Sequence, residues 1–186
     1  MQSQVCCAKT CDNGVNKMKY YLNYIKEIIN DFNGTIATFE NLPSLFIMNI
    51  EASKYDIVDC DLHLKKQLPN DYKFFLQEFN GGVLFKIEDY AGFKLLSTNE
   101  LIKHNEFQKR NFGQYWNSEI ILFCECIGDS EYLGFKIDEN GLHNIVYCIM
   151  DMLPQEWEII ENSFDTLINK LIYEKGRKYW LDTPVG

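Results

Sequence analysis

The chain has 186 residues, 46% of them hydrophobic and 15% aromatic, which suits one domain with a substantial core and leaves two domains cramped. Its formal charge of -9 argues against a polyanionic partner, because affinity for DNA or RNA rests largely on Lys and Arg contacts to phosphate; an acidic chain meets a basic partner more readily. No run approaches the roughly 20 apolar residues of a membrane helix, and Met1 to Lys17 lacks the apolar core of a secretory signal, so the expectation is a cytoplasmic protein that binds neither nucleic acid nor membrane.

Seven cysteines, Cys6, Cys7, Cys11, Cys60, Cys124, Cys126 and Cys148, are odd in number and scattered without a framework, as expected where thiols stay reduced. Residues 1–17 have no hydrophobic period and read as a loose tail whose ordering entropy no burial offsets, with Met18 as an alternative start. From Met18 on, Tyr21, Leu22, Ile25, Ile28, Ile29 and Phe32 recur at helical spacing, and Asn33-Gly34 stops the helix.

Ser44 to Ile50 is short and apolar, which favours a strand. Val58, Cys60, Leu62 and Leu64 alternate as a strand would, yet early acids and the Lys65-Lys66 finish suit a helix from about Ala52 to Lys66, which is the reading taken. A further helix starts at Leu68-Pro69, where proline is pre-organised for a first turn and Asp71 complements the helix dipole. Tyr72, Phe75, Leu76 and Phe79 form its apolar stripe, and Asn80-Gly81-Gly82 closes it with residues able to adopt the left-handed conformation.

Val83 to Ile87 and Phe93 to Leu96 read as strands, followed by a polar helix from about Ser97 to Arg110 capped by Ser97 or Thr98. Ile120 to Ile127, the alternating Leu133, Phe135 and Ile137, and Ile145 to Met150 add three strands, separated by turns at Gly128-Asp129 and Asn140-Gly141. Gln155 to about Tyr173 carries Trp157, Ile160, Phe164, Leu167, Ile168 and Leu171 on one helical face. The sum is a single α+β domain over residues 18–175, a mostly antiparallel sheet of five to six strands with helices packed against it, and a C-terminal tail at 176–186.

The run Leu68-Pro-Asn-Asp-Tyr-Lys-Phe-Phe-Leu-Gln-Glu-Phe-Asn-Gly-Gly82 resembles the signature helix of the SUKH superfamily. The Gly128-Asp129-Ser130 turn, the Ile145 to Met150 strand and Asn162-Ser-Phe-Asp-Thr-Leu-Ile168 follow in the family's order, so that the resemblance spans about Ala52 to Ile172. It implies that Leu68, Pro69, Tyr72, Phe75, Leu76, Asn80, Gly81, Gly82 and Phe164 are structural. It also implies a binding protein without catalysis, an immunity protein of a bacterial polymorphic toxin system whose partner is a cognate toxin domain. The scaffold is shared while the binding surface varies, so it does not name the toxin.

Other chemistry finds little support in the residues. Asn80-Gly81-Gly82 follows a helix and lacks the Gly-Lys-Ser/Thr ending of a phosphate loop. Neither Cys6-Cys7 with Cys11 nor Cys124-x-Cys126 has zinc-ligand spacing; Cys124 and Cys126 fall on one side of one strand and read as small buried hydrophobes. His63, His104 and His143 sit in no motif with a nucleophile or a metal-ligand pair, and no nucleophile elbow occurs. Asp138-Glu139-Asn140-Gly141 lacks the spaced acids of a calcium loop. The expectation is no catalytic residue, no metal and no cofactor.

What remains is a group of acids and aromatics near the strands and turns, Trp116, Glu125, Asp129, Glu131, Tyr132, Asp138 and Glu139. Trp and Tyr are the side chains that anchor interfaces and acids steer a basic partner such as a nuclease, so these are the candidate partner-binding residues, set against a plain solvated surface with Trp116 in the core. A regulatory scaffold binding an endogenous protein, and a hydrolase or metal enzyme with an unrecognised site, stay as alternatives. The sequence sets no oligomeric state.

Overall fold

Met18, Leu22, Ile25 and Ile28 share one buried stripe of helix α1 (Asn13–Asp31), because side chains three and four apart lie on one helical face. The computed structural model describes residues 13–139 and 141–182, with side chains from residue 17 onward. The expected tail is corrected at its inner end, since residues 13–17 belong to α1 and Met18 is fully buried within it. Residues 1–12, with Cys6, Cys7 and Cys11, lie outside the described residues. Asn33 and Gly34 take positive φ at the end of α1, and Phe32, expected on the stripe, is 59% exposed there.

Strands β1 (Thr35–Ala37) and β2 (Pro43–Met48) come next. Helix α2 (Lys54–Leu64) is opened by a capping box in which the Ser53 hydroxyl accepts from Asp56 N and the Asp56 carboxylate accepts from Ser53 N, satisfying two donors that the first turn leaves free. Ile57 and Cys60 face the core while Val58 and Leu62 face solvent, so the alternation that resembled a strand comes from apolar residues on both sides of a helix. Lys65 ends it in the left-handed conformation.

Helix α3 (Asn70–Glu78) buries Tyr72, Phe75 and Leu76 completely, with Pro69 just ahead of its first turn. Strands β3 (Gly82–Ile87) and β4 (Ala91–Leu95) lead into α4 (Thr98–Phe112), capped by Ser97 with Glu100. Then follow β5 (Ile120–Cys126), β6 (Glu131–Ile137), β7 (His143–Ile149), β8 (Glu158–Glu161) and α5 (Phe164–Tyr173). The strands form one antiparallel sheet in chain order, each beside its sequence neighbour.

Eight strands replace the five to six expected. At three residues β1 is too short to show a period, and β8 was hidden in the supposed long helix. Trp157 and Ile160 mimic helical spacing but pack on different clusters, Trp157 with Val146 and Cys148, Ile160 against the main core. Ser163, whose hydroxyl accepts from Thr166 N, starts the true helix at Phe164.

One sheet face carries the main core beneath α1, α3 and α5, with Ile121, Phe123, Leu133, Phe135 and Ile145 pointing inward. The opposite face holds a smaller cluster of Ile120, Leu122, Val146, Cys148 and Trp157. A register shift between Leu122 and Cys124 turns both Phe123 and Cys124 to the main core. Strand β4 pairs with β5 only along Cys124 to Cys126. Beyond its end the Asn105 side chain takes over, accepting from Leu122 N and donating to Leu122 O, both at 2.8 Å. An amide side chain thereby replaces a strand neighbour and satisfies buried backbone groups.

The turn after α3 is seated tightly. Gly81 has φ 77°, and a Cβ there would lie 2.6 Å from both Leu95 O and Ser97 N, so glycine is required on backbone and steric grounds together. Asn80 Oδ1 accepts from Thr98 N at 2.9 Å. From the start of α3, the Tyr72 hydroxyl donates to Leu96 O at 2.7 Å, and its ring meets Phe75, Phe123, Phe135 and Phe164.

The C-terminal tail is also corrected. Residues 176–182 fold back, with Trp180 buried between Phe93 and Tyr147 and a short turn at Tyr179–Asp182; residues 183–186 are outside the described residues. Phe75 is fully buried, so Phe75→Ala is expected to cost about 3–5 kcal/mol in urea unfolding, from lost transfer energy plus the cavity left behind. A loss below about 1 kcal/mol would contradict this packing.

Candidate partner-binding surface

The seven acidic and aromatic candidates fall in four places. Glu125 and Tyr132 are register partners on the sheet face away from the main core, and Lys94 lies across from Glu125 on its other side. Tyr132 Oη is 3.3 Å from His104 Nδ1 of α4. Asp129 and Glu131 flank the β5–β6 turn, and Lys178 bonds to both, at 2.7 Å to Asp129. This lysine comes from the folded-back C-terminal segment, so one of the turn's two negative charges is offset within the chain.

Trp116 is half-buried, packed edge-on against Trp157 at 6.3 Å and beside Phe112 at 6.0 Å. Asp138 and Glu139 are exposed at the β6–β7 turn, at the opposite end of β6 from Asp129. Seven residues of strand separate those two turns by about 20 Å at the usual rise. The fold therefore brings Glu125 and Tyr132 together, and Asp138 with Glu139, but does not gather all seven.

Asp138 and Glu139 line an open groove of about 760 Å³ whose wall includes Lys66, Pro69, Asp71, His143, Ser163 and Asp165. The N-terminal ends of α3 and α5 meet here. Asp71 Oδ2 accepts from Phe164 N at 3.0 Å and Asp165 N at 3.2 Å, while Oδ1 accepts from Tyr72 N. A carboxylate of one helix thus caps another, where free N–H groups and the helix dipole favour negative charge. Burial works to raise the Asp71 carboxyl, but the His143 imidazole and the backbone N–H groups of Asp165 and Tyr72 outweigh it and hold the group below its usual range.

His143 Nε2 stands 3.6 Å from Asp71 Oδ1, an electrostatic contact longer than a hydrogen bond. The Ser163 hydroxyl is engaged by Asp165 and Thr166 of its own helix, so of Asp71, His143 and Ser163 it is Asp71 alone that joins α3 to α5, and the three side chains form no relay to a free nucleophile. Among the described residues, no three His, Cys, Asp or Glu side chains converge as metal ligands would. Cys60, Cys124, Cys126 and Cys148 are buried free thiols. Burial, followed by nearby acids, pushes Cys60 up to about 12, the reverse of the lowered value a reactive thiol has. No helix of the described residues is long and apolar enough to cross a membrane.

Sequence reasoning missed the outward face of α2, where Tyr55, Val58 and Leu62 are all more than half exposed. The signal was there, since apolar residues at 55, 58 and 62 are in helical spacing but out of phase with Ile57 and Cys60. It also missed how unevenly the charge is spread. From residue 111 onward the chain has 13 acids and five bases, so that part carries -8 of the -9.

A model of the SMI1 / KNR4 family (SUKH-1) matches residues 51–170, from just before α2 into α5. Relatives include the uncharacterized protein YnaB of Bacillus subtilis (strain 168), 27% identical over 135 residues, which are 72% of this chain and 85% of that protein. Another is immunity protein RhsIB of Dickeya dadantii (strain 3937), 25% identical over 169 residues, which are 90% of this chain and 98% of that protein.

The Asp71 geometry makes stability depend on pH. A carboxyl held below its unfolded value of about 3.9 stabilises the fold above that pH, and the contribution is lost as pH falls through the folded value. Asp71→Asn is expected to lower the urea midpoint at about pH 7, with the gap to the unmodified chain closing towards about pH 2. A gap that stays constant over this range would show that the Asp71 charge is not the source.

Proposed function

The chain belongs to the SMI1 / KNR4 family (SUKH-1), and from that premise we propose that it is an immunity protein that binds and neutralises a cognate toxin domain without making or breaking a bond. The observation that carries this reading is the reach of the similarity to RhsIB, 90% of this chain and 98% of that protein. A match of that extent runs well beyond the signature helix. Buried thiols with raised values and a serine held by its own helix support a role in binding.

The partner we propose is a basic toxin domain such as a nuclease, met in the cytoplasm of a bacterium that carries a polymorphic toxin system. The negative charge concentrated after residue 111 supports this, because a surface of one sign speeds diffusional capture of a partner of the other. Of the seven candidate contacts, Glu125, Tyr132, Asp138 and Glu139 come first, with Trp116 as an aromatic anchor. Asp129 and Glu131, bonded to Lys178, contribute less. A standard interface of about 1,600 Å² suffices for such a complex, and the tightest nuclease and immunity pairs reach dissociation constants of roughly 10⁻¹³ M.

The test is co-expression with the C-terminal domain of a large secreted protein encoded immediately upstream, scored by bacterial growth and by pull-down. Rescue with a stable complex is expected; neither rescue nor complex would reject immunity and turn the search to an endogenous partner. With the complex in hand, the association rate is expected to fall steeply with added salt, and more so than for a Glu139→Lys variant. A salt-independent rate would remove the steering argument.

A further inference from the structure

The outward face of α2 differs in kind from the acidic surface. Tyr55, Val58 and Leu62, at 77%, 57% and 70% exposure, form an apolar ridge at helical spacing along α2. The helix beneath is fixed by its capping box and by Ile57 and Cys60 in the core, so the ridge is presented rigidly. Exposed apolar side chains contiguous along one helix mark an interaction site more often than a scatter of single residues does.

The charges around the ridge are balanced and sorted by position. Exposed Glu51 lies at the N-terminal end with Asp56, while Lys65 and Lys66 lie at the other end and share a shallow depression with Val58 and Leu62. Asp59, near the middle, is paired with His63 of its own helix at 3.3 Å. Lys54 is the one base at the acidic end. A strongly basic toxin would gain little from such a face, whereas a copy of the same helix running in the opposite direction complements it. Antiparallel alignment also sets opposite dipole ends together.

We propose that α2 is the seam of a homodimer, in which two copies pack antiparallel through Tyr55, Val58 and Leu62 about a two-fold axis near Val58 and Asp59. Such an interface is isologous, so each contact occurs twice. Tyr55 covers the other copy's Leu62, Val58 meets its own equivalent, and Glu51 faces the Lys66 end. The helix is 11 residues long, about 16 Å at the usual rise. A contact of that length falls below the roughly 1,200 Å² of standard interfaces, so the dimer is a weak one that dissociates on dilution. The dimer seam leaves the acidic part of the chain after residue 111 uncovered, and the inference does not depend on the immunity reading.

Sedimentation equilibrium of the full chain across a concentration series tests it. A dimer is expected at about 200 µM and a monomer below about 1 µM. Val58→Glu, which places like charges at the axis on an exposed position, is expected to give a monomer throughout with an unchanged melting temperature. Glu51→Lys and Lys66→Glu are each expected to weaken the dimer about tenfold or more, and mixing the two variants to restore it, because both ends of the mixed dimer then pair opposite charges. A wild-type monomer at about 200 µM would overturn the proposal. So would a dimer that Val58→Glu leaves intact, since the contact would then lie elsewhere.

Discussion

Four residues joining β4 to α4, Leu95 to Thr98, are held by α3 and the turn that follows it, and the rest of the domain is arranged around that grip. Gly81 lies so close to Leu95 O and Ser97 N that no side chain fits. Asn80 accepts from Thr98 N, and the Tyr72 hydroxyl donates to Leu96 O. One helix thereby fixes where β4 stops, where α4 begins and how the main core closes. Because β4 stops there, Leu122 of β5 is left for Asn105 to pair, which docks α4 beside the sheet. Buried backbone groups left unpaired would each cost about 1–3 kcal/mol, so this sequence of substitutions is enforced by hydrogen bonding as much as by packing.

The two faces of the sheet have different work. Under α1, α3 and α5 one face supplies nearly all of the buried apolar surface, with Tyr72 at the centre of an aromatic group that includes Phe123, Phe135 and Phe164. The other face has only a small cluster and leaves Glu125 and Tyr132 partly open. A scaffold built this way can vary its open face and turns without disturbing the core.

Charge is handled unevenly for physical reasons. At the β5–β6 turn Lys178 offsets one of the two negative charges of Asp129 and Glu131, and Asp71 is consumed in capping α5. Glu139 remains exposed on the groove, while Asp138 beside it accepts from Leu142 N. Counting acids along the chain treats these as equal, although only exposed and unbalanced charge acts at a distance. The neutral, apolar face of α2 and the acidic remainder are therefore separate surfaces with separate partners in prospect.

Local pattern and local chemistry made much of the fold legible in advance. Apolar periods and runs located α1, α3 and six strands, a serine or threonine cap located α4, glycine's left-handed preference marked the turn at Gly81, and the run from Leu68 to Gly82 pointed to the family. Cys124 and Cys126 were rightly read as small buried hydrophobes on one side of a strand. Strand β8 escaped because Trp157 and Ile160 at helical spacing are indistinguishable from a helix until their two packing partners are known. The closing of the C-terminal segment by Trp180 and Lys178 depends on residues some 50 to 90 positions away, such as Asp129, Glu131 and Phe93. So the sequence by itself determined the elements with strong local periods, their turns and the family, since those rest on interactions within a few residues. Which acids stay free, which apolar residues are exposed and which side chains share a surface was decided only by the tertiary structure, because each depends on neighbours that folding alone brings together.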